Sequence, residues 1–113
     1  MTAAIALSIA GSDPSGGAGL QADLKTFSAL GVYGAAAVTL ATVQNTRGVT
    51  GVHLLPPEIV AAQIRAVLEE LDERAIKIGA LGAAGIVEAV ADALERAAAP
   101  VVLDPVMVAK SGD

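Results

Sequence analysis

The sequence predicts an α/β fold built on a mainly parallel sheet. Three observations carry the prediction. Short apolar runs alternate with amphipathic stretches at least three times along 113 residues, the pattern of βαβ units with right-handed crossovers. The runs are apolar enough for strands that are covered on both faces. With 54% hydrophobic residues and only Phe27 and Tyr33 as aromatics, the interior has to be built from Ala, Val, Leu and Ile.

Taken in order, residues 4–10 (AIALSIA) form an apolar run that feeds Gly-Ser-Asp-Pro, as a central parallel strand does on entering a loop. From Leu20 to Leu30, Leu20, Leu24, Phe27 and Leu30 recur at helical spacing and Gly31 stops the helix. Residues 33–43 are apolar and partly β-branched, which places a second buried strand in the latter half of the run, followed by a polar Gln44-Asn45-Thr46 loop. Residues 49–55 have strand-like composition, but Gly51 and Pro56-Pro57 confine them to a short excursion at the sheet edge. Pro57 and Glu58 open a helix that runs to about Asp72, with Ile59, Val60, Ile64, Val67, Leu68 and Leu71 facing inward. A third strand is expected over 75–80, then a helix over 84–98 with Ile86, Val87, Val90, Ala91 and Leu94 inward. Pro100 ends that helix, and Val101-Val102-Leu103 form a strand ending at Asp104-Pro105. No helix follows it, so the layered domain is expected to be incomplete at its C-terminus.

Composition excludes several function classes. Seven basic residues, scattered without a stripe, against twelve acidic ones give a net charge of −5, which argues against a nucleic-acid partner. No apolar run reaches the roughly 18–20 residues of a membrane span. The N-terminus lacks the basic region of a signal peptide, so a cytoplasmic protein is expected. Cysteine is absent, which removes disulfides, thiolate metal sites and a cysteine nucleophile.

The most informative stretch is residues 10–26, AGSDPSGGAGLQADLKT, a strand end, a glycine-rich turn and a helix start. Gly11, Gly16, Gly17 and Gly19 allow the close backbone approach that a bound ligand requires. Asp23, four residues past Gly19, is expected one turn into the helix on the face that looks back at the turn. The spacing matches neither a P-loop nor a dinucleotide fingerprint, which speaks against a phosphate cradle. Because ligands of open α/β sheets bind outside the carboxyl ends of the strands, four segments should converge. These are the glycine turn, 44–46, 79–82 and 104–107.

The segments GSDPSGGAGLQADLKTFSALGVYG, QNTRGV, KIG and LDPVMVAKSGD, in this order and spacing, closely resemble the hydroxymethylpyrimidine/phosphomethylpyrimidine kinases of thiamine biosynthesis. These are members of the ribokinase-like superfamily. The resemblance implies a three-layer αβα fold, of which residues 1–113 would be the N-terminal part of a single kinase domain. It implies phosphoryl transfer from ATP, with Mg2+, to 4-amino-5-hydroxymethyl-2-methylpyrimidine and then to its monophosphate. Pyridoxal-type kinase activity and a non-catalytic pyrimidine-binding fragment are the alternatives.

Carried over residue by residue, the resemblance assigns substrate binding to the backbone of Ala18, the Asp23 carboxylate, the Gln44 amide and the apolar wall at Val106. It places Asp104 near the metal and phosphates. An aminopyrimidine offers adjacent donor and acceptor atoms that a carboxylate and a carboxamide can satisfy. Lys110 and Ser111 are as well explained by a solvated loop. Lys77, inside a strand, is expected to have a structural partner, and His53 lies in the edge segment away from the chemistry. Two departures stand out. Ala80 follows KIG where the family commonly has methionine, which removes a thioether from the pyrimidine face. The chain is also about half the usual length, and the absent half would supply the anion hole, the catalytic base and most of the ATP site, so no catalytic residue falls within it. A full-length member is expected to be a homodimer.

Overall fold

The computed structural model describes residues 4–73 and 75–104. Five strands and three helices alternate in the order β1 (Ile5–Ser12), α1 (Gly19–Ala29), β2 (Tyr33–Asn45), β3 (Gly48–Leu54), α2 (Pro57–Glu70), β4 (Ala75–Ile78), α3 (Ala84–Leu94) and β5 (Val101–Leu103). The sheet order is β3-β2-β1-β4-β5, with β1 central. β1 pairs in parallel with β2 and β4, and β4 with β5, while β3 runs antiparallel along the outer edge of β2. No helix among the described residues is long and apolar enough to cross a membrane.

The two-residue period of β1 sorts its side chains between two helical layers. Leu7 and Ile9 point to one face, where they join Ala37, Ile76 and Ile78 against Val60, Ala61 and Ile64 of α2 and Ile86, Val90 and Ala93 of α3. Ser8, between them, points to the opposite face and reaches α1. Thus α2 and α3 cover one face of the sheet and α1 part of the other.

Several expected boundaries shift for identifiable reasons. β2 is strand over all thirteen residues, not over its latter half. Gly34 and the alanines that follow have weak strand preference, but they pair with β1 from Ile5↔Tyr33 onward, and pairing outweighs propensity. Gly34 is also where Leu24 and Phe27 of α1 seat, since a Cβ there would lie 2.8–2.9 Å from their side chains. Gln44 therefore stands on the strand rather than in a loop beyond it. α3 ends at Leu94, four residues early, because Pro100 and the return to β5 draw the chain out of the helix. Ile59 and Val87 are about half exposed and Ala91 is exposed, correcting their inward assignment. The buried stripe of α2 runs through positions 60, 61 and 64 and that of α3 through 86, 90 and 93, and each of these residues lies beside the stripe of its own helix. Leu30 is exposed at the end of α1. That end is closed as expected at Gly31, φ +74°, with Val32 N–H donating to Phe27 O and Gly31 N–H to Ser28 O.

The edge segment is a seven-residue antiparallel strand. Where β3 gives out, Gln63 of α2 takes its place: Val38 N–H donates to Gln63 Oε1 at 2.9 Å and Gln63 Nε2 donates to Val38 O at 2.9 Å. One side-chain amide thereby pairs the backbone that no neighbouring strand reaches.

Candidate active-site cleft

The loop between β1 and α1 is organised around Asp13, a buried carboxylate that the sequence reading passed over. Ser15 N–H and Oγ donate to its Oδ1 at 2.9 and 2.7 Å, and Gly17 N–H donates to Oδ2 at 3.1 Å. The Ser15 hydroxyl above all, helped by the backbone N–H groups of Ser15, Ala18 and Gly17, holds Asp13 below the ordinary value of 3.8 against the opposing effect of burial. Asp13 N–H in turn donates to Gln21 Oε1 at 2.8 Å, and Gln21 Nε2 donates to Ser12 Oγ at 2.7 Å, tying loop to helix. Two of the turn's amides, those of Ser15 and Gly17, are thereby turned onto the chain's own carboxylate. Gly19 makes the closure sterically feasible, since at φ +59° a Cβ would collide with Gly11 O.

Asp23 lies one turn into α1, as its spacing requires, but its carboxylate faces the sheet rather than the turn. Ser8 Oγ donates to Asp23 Oδ2 at 2.6 Å, and Lys77 Nζ donates to Oδ1 and Oδ2 at 3.0 and 2.9 Å. Lys77, in the middle of β4, thus has the ionic partner expected of a strand lysine. Its Nζ also lies 3.8 Å from Asp104 Oδ2. Ser8 and Lys77 are polar residues inside apolar strands, and that was the available signal for a buried polar network, because such groups are retained when partnered.

In front of this network the strand ends enclose a cleft of about 340 Å3, within the usual range for small-molecule sites. All four expected segments reach it: Gly11, Ser12, Asp13, Ala18 and Gly19 from the strand end and loop, Thr42 and Gln44 from β2, Ala80 after β4, and Asp104 after β5. Lys77 also lines it, whereas Asp23 stands behind Lys77. Leu40 and Val49 supply apolar wall. Gln44 Nε2 donates to Thr42 Oγ1 at 2.7 Å, and Thr42 Oγ1 donates to Ser12 O at 2.9 Å. That chain fixes the Gln44 amide beside the loop, at a register shift between Val43 and Gln44 of the kind that re-aims side chains at strand ends. Ala80 O accepts from Thr39 Oγ1 at 2.7 Å, so the Ala80 backbone is held although its short side chain fills little of the cleft. Asp104 is placed by its own N–H, which donates to Ile78 O at 2.9 Å.

Ala18, Gln44 and Asp104 are therefore brought together, with Asp23 one side chain removed. Val106, Lys110 and Ser111 lie outside the described residues. His53 is exposed on β3, and the cleft is formed without it. A second hollow, about 570 Å3, opens between the C-terminal ends of α2 and α3. It lies at the opposite pole of the sheet and is lined by Arg65, Glu69, Asp92 and Arg96 among others, side chains of a solvated surface. Among the described residues no three His, Cys, Asp or Glu side chains cluster as metal ligands, so Asp104 can offer a divalent ion one carboxylate and no complete site.

The cleft is bounded by loop backbone, the Gln44 amide and the Lys77 ammonium. Known proteins are similar to the chain in sequence and fold. The hydroxymethylpyrimidine/phosphomethylpyrimidine kinase of Rhizobium meliloti (strain 1021) is 61% identical over 110 residues, which cover 97% of this chain and 41% of that protein. A crystal structure of phosphomethylpyrimidine kinase from Clostridium difficile 630 superposes with a TM-score of 0.90 at 48% identity, covering 97% of this chain and 48% of that one. The pyridoxal kinase of Staphylococcus aureus in complex with pyridoxal superposes at 0.86 with 37% identity, over 100% of this chain and 43% of its own. The chain thus spans less than half the length of each of these relatives. The family model described as phosphomethylpyrimidine kinase matches residues 13–113, and the chain belongs to that family.

Proposed function

We propose that the chain forms the substrate-side part of a hydroxymethylpyrimidine/phosphomethylpyrimidine kinase, the N-terminal portion of one kinase domain. Working with ATP and Mg2+, the whole enzyme would phosphorylate 4-amino-5-hydroxymethyl-2-methylpyrimidine and then its monophosphate, in the cytoplasm and as a homodimer. The observation that supports this reading is that Gln44 and Ala18 line the same cleft, whose volume of about 340 Å3 is in the range of small-molecule sites. The amide presents a carbonyl acceptor and an N–H donor to the adjacent amino group and ring nitrogen of an aminopyrimidine. Leu40 and Val49 give the ring an apolar wall, and the hydroxymethyl group points toward Asp104. Asp23 acts from behind, by fixing Lys77.

Phosphoryl transfer requires a positioned hydroxyl and stabilisation of charge on the transferred group. The described residues provide the first. The N–H groups of Ser15 and Gly17 are committed to Asp13, and this reading assigns the second to the rest of the enzyme. ATP would supply the phosphoryl group, and Asp104 would offer its one carboxylate to the accompanying metal ion.

Two measurements test this reading. Calorimetric titration should show saturable one-to-one binding of the hydroxymethylpyrimidine, with pyridoxal weaker. Pyridoxal binding in preference would favour the pyridoxal-kinase alternative. A coupled ADP-release assay on the 113-residue chain should show no turnover, and clear turnover would refute the claim that charge stabilisation lies outside it.

A further inference from the structure

We propose that Lys77 is the anion-recognising residue of the cleft, the group that lets it accept a phosphorylated pyrimidine as well as the neutral alcohol. The proposal deepens the pyrimidine reading above and rests on it for the identity of the ring. Among the described residues Lys77 is the one cationic side chain that lines the cleft. It is held firmly from behind and loosely in front. Behind it, Asp23 is only 16% exposed and engages Nζ through both oxygens at 2.9 and 3.0 Å, with Ser8 anchoring the carboxylate. In front, Asp104 Oδ2 is 3.8 Å from Nζ, beyond hydrogen-bond reach, on a carboxylate 59% exposed. Gly79 leaves the ammonium room, since a Cβ there would stand 3.4 Å from Nζ.

In the loop beside the cleft, the N–H groups of Ser15 and Gly17 are spent on Asp13 and so do not compete with Lys77 for an anion. The charges around the cleft, Asp13, Asp23 and Asp104 against Lys77, favour a neutral ligand and repel a dianion that has no cationic partner. An exposed ion pair such as Lys77–Asp104 contributes little, so a phosphate oxygen can replace Asp104 as the forward partner of Nζ at small cost. It would gain a charge-assisted hydrogen bond in doing so. Lys77 is thus placed to separate the two substrates that the relatives' name couples, one neutral and one anionic.

The test is an NMR titration of the 113-residue chain, isotope-labelled so that backbone amides and the Lys77 Nζ are both observed. The ligands are the hydroxymethylpyrimidine, its monophosphate, and methyl phosphate as a pyrimidine-free probe, each against wild type, K77M and K77R. The expected result is a shift of the Lys77 Nζ resonance by both phosphates. In K77M the ratio of monophosphate to alcohol affinity should fall by about tenfold or more, as loss of a hydrogen bond to a charged group implies, and K77R should restore most of it. An unchanged ratio alongside amide shifts at Ala18 and Gln44 would overturn the role of Lys77 and leave the pyrimidine reading standing. If methyl phosphate shifts Nζ while neither pyrimidine binds, the anion role stands and the pyrimidine reading fails. No response to any ligand overturns both. Should K77M not fold, the wild-type Nζ resonance decides alone, and its failure to shift with either phosphate overturns the proposal.

Discussion

Replacing Gly19 by Ala tests whether the loop that walls the cleft is held in one conformation by backbone geometry. Gly19 combines a left-handed φ of +59° with a backbone neighbour, Gly11 O, that a Cβ would strike. Gly11 cannot withdraw, because it lies on the central strand and packs against Leu40, whose Cδ1 is 2.6 Å from where its own Cβ would stand. Left-handed backbone alone costs alanine about 1–2 kcal/mol. Forcing the loop off β1 adds about 1–3 kcal/mol of the kind seen in overpacked interiors. Gly31 provides the control: φ is +74° but no atom lies within 4 Å of its Cβ position, so G31A should show the first cost without the second. Urea unfolding followed by far-UV circular dichroism gives both values, since the chain has no tryptophan to report. G19A should be the less stable of the two by about 1–3 kcal/mol and should weaken pyrimidine binding. Equal destabilisation within about 0.5 kcal/mol, or unchanged binding by G19A, would refute the claim that contact with Gly11 sets the loop.

Other substitutions probe the remaining supports. The Asp13 carboxyl is lowered on folding, so its stabilisation is complete above the unfolded value of 3.8 and is lost as pH falls through the lower folded value. The stability gap between wild type and D13N should therefore be constant at neutral pH and shrink below about 3.8, whereas a gap that widens in acid would contradict the assignment. Gln63→Ala leaves the outer N–H and carbonyl of Val38 unpaired and should cost about 1–3 kcal/mol in urea unfolding, with no change meaning that water replaces the amide freely. The strand β5 exposes Val101, Val102 and Leu103 at the sheet edge, so the chain should self-associate in sedimentation experiments and Val101→Lys should reduce it. A wild-type chain that stays monomeric at high concentration would argue against an open edge.

Much of the layered fold could be read in advance because it depends on period and punctuation. Apolar runs at 4–10 and 75–80 became parallel neighbours, Gly31 and Pro57 marked helix ends, and prolines 56 and 57 confined β3 to the edge. What escaped was settled by tertiary pairing. The weak strand formers Gly34 to Ala37 extend because β1 lies beside them, and this moved Gln44 from loop to strand. The convergence of the strand ends followed from topology, and the cleft lies where it predicts. The orientation of Asp23 did not, since a residue one turn into a helix faces loop or sheet according to what waits there. Here Ser8 and Lys77 wait on the sheet. Asp13 was legible in principle. An aspartate two residues before a serine in a Gly-rich turn is the pattern of a side chain capping its own backbone.

The central claim is that the cleft holds an aminopyrimidine on the Gln44 amide and the Ala18 backbone. A structure of the chain in complex with 4-amino-5-hydroxymethyl-2-methylpyrimidine tests it most directly. The ring should lie between the glycine loop and β2, its amino group and adjacent nitrogen on Gln44, and its hydroxymethyl group toward Lys77 and Asp104. A ring seated in the hollow between α2 and α3, or in the cleft but out of reach of Gln44, would contradict the account.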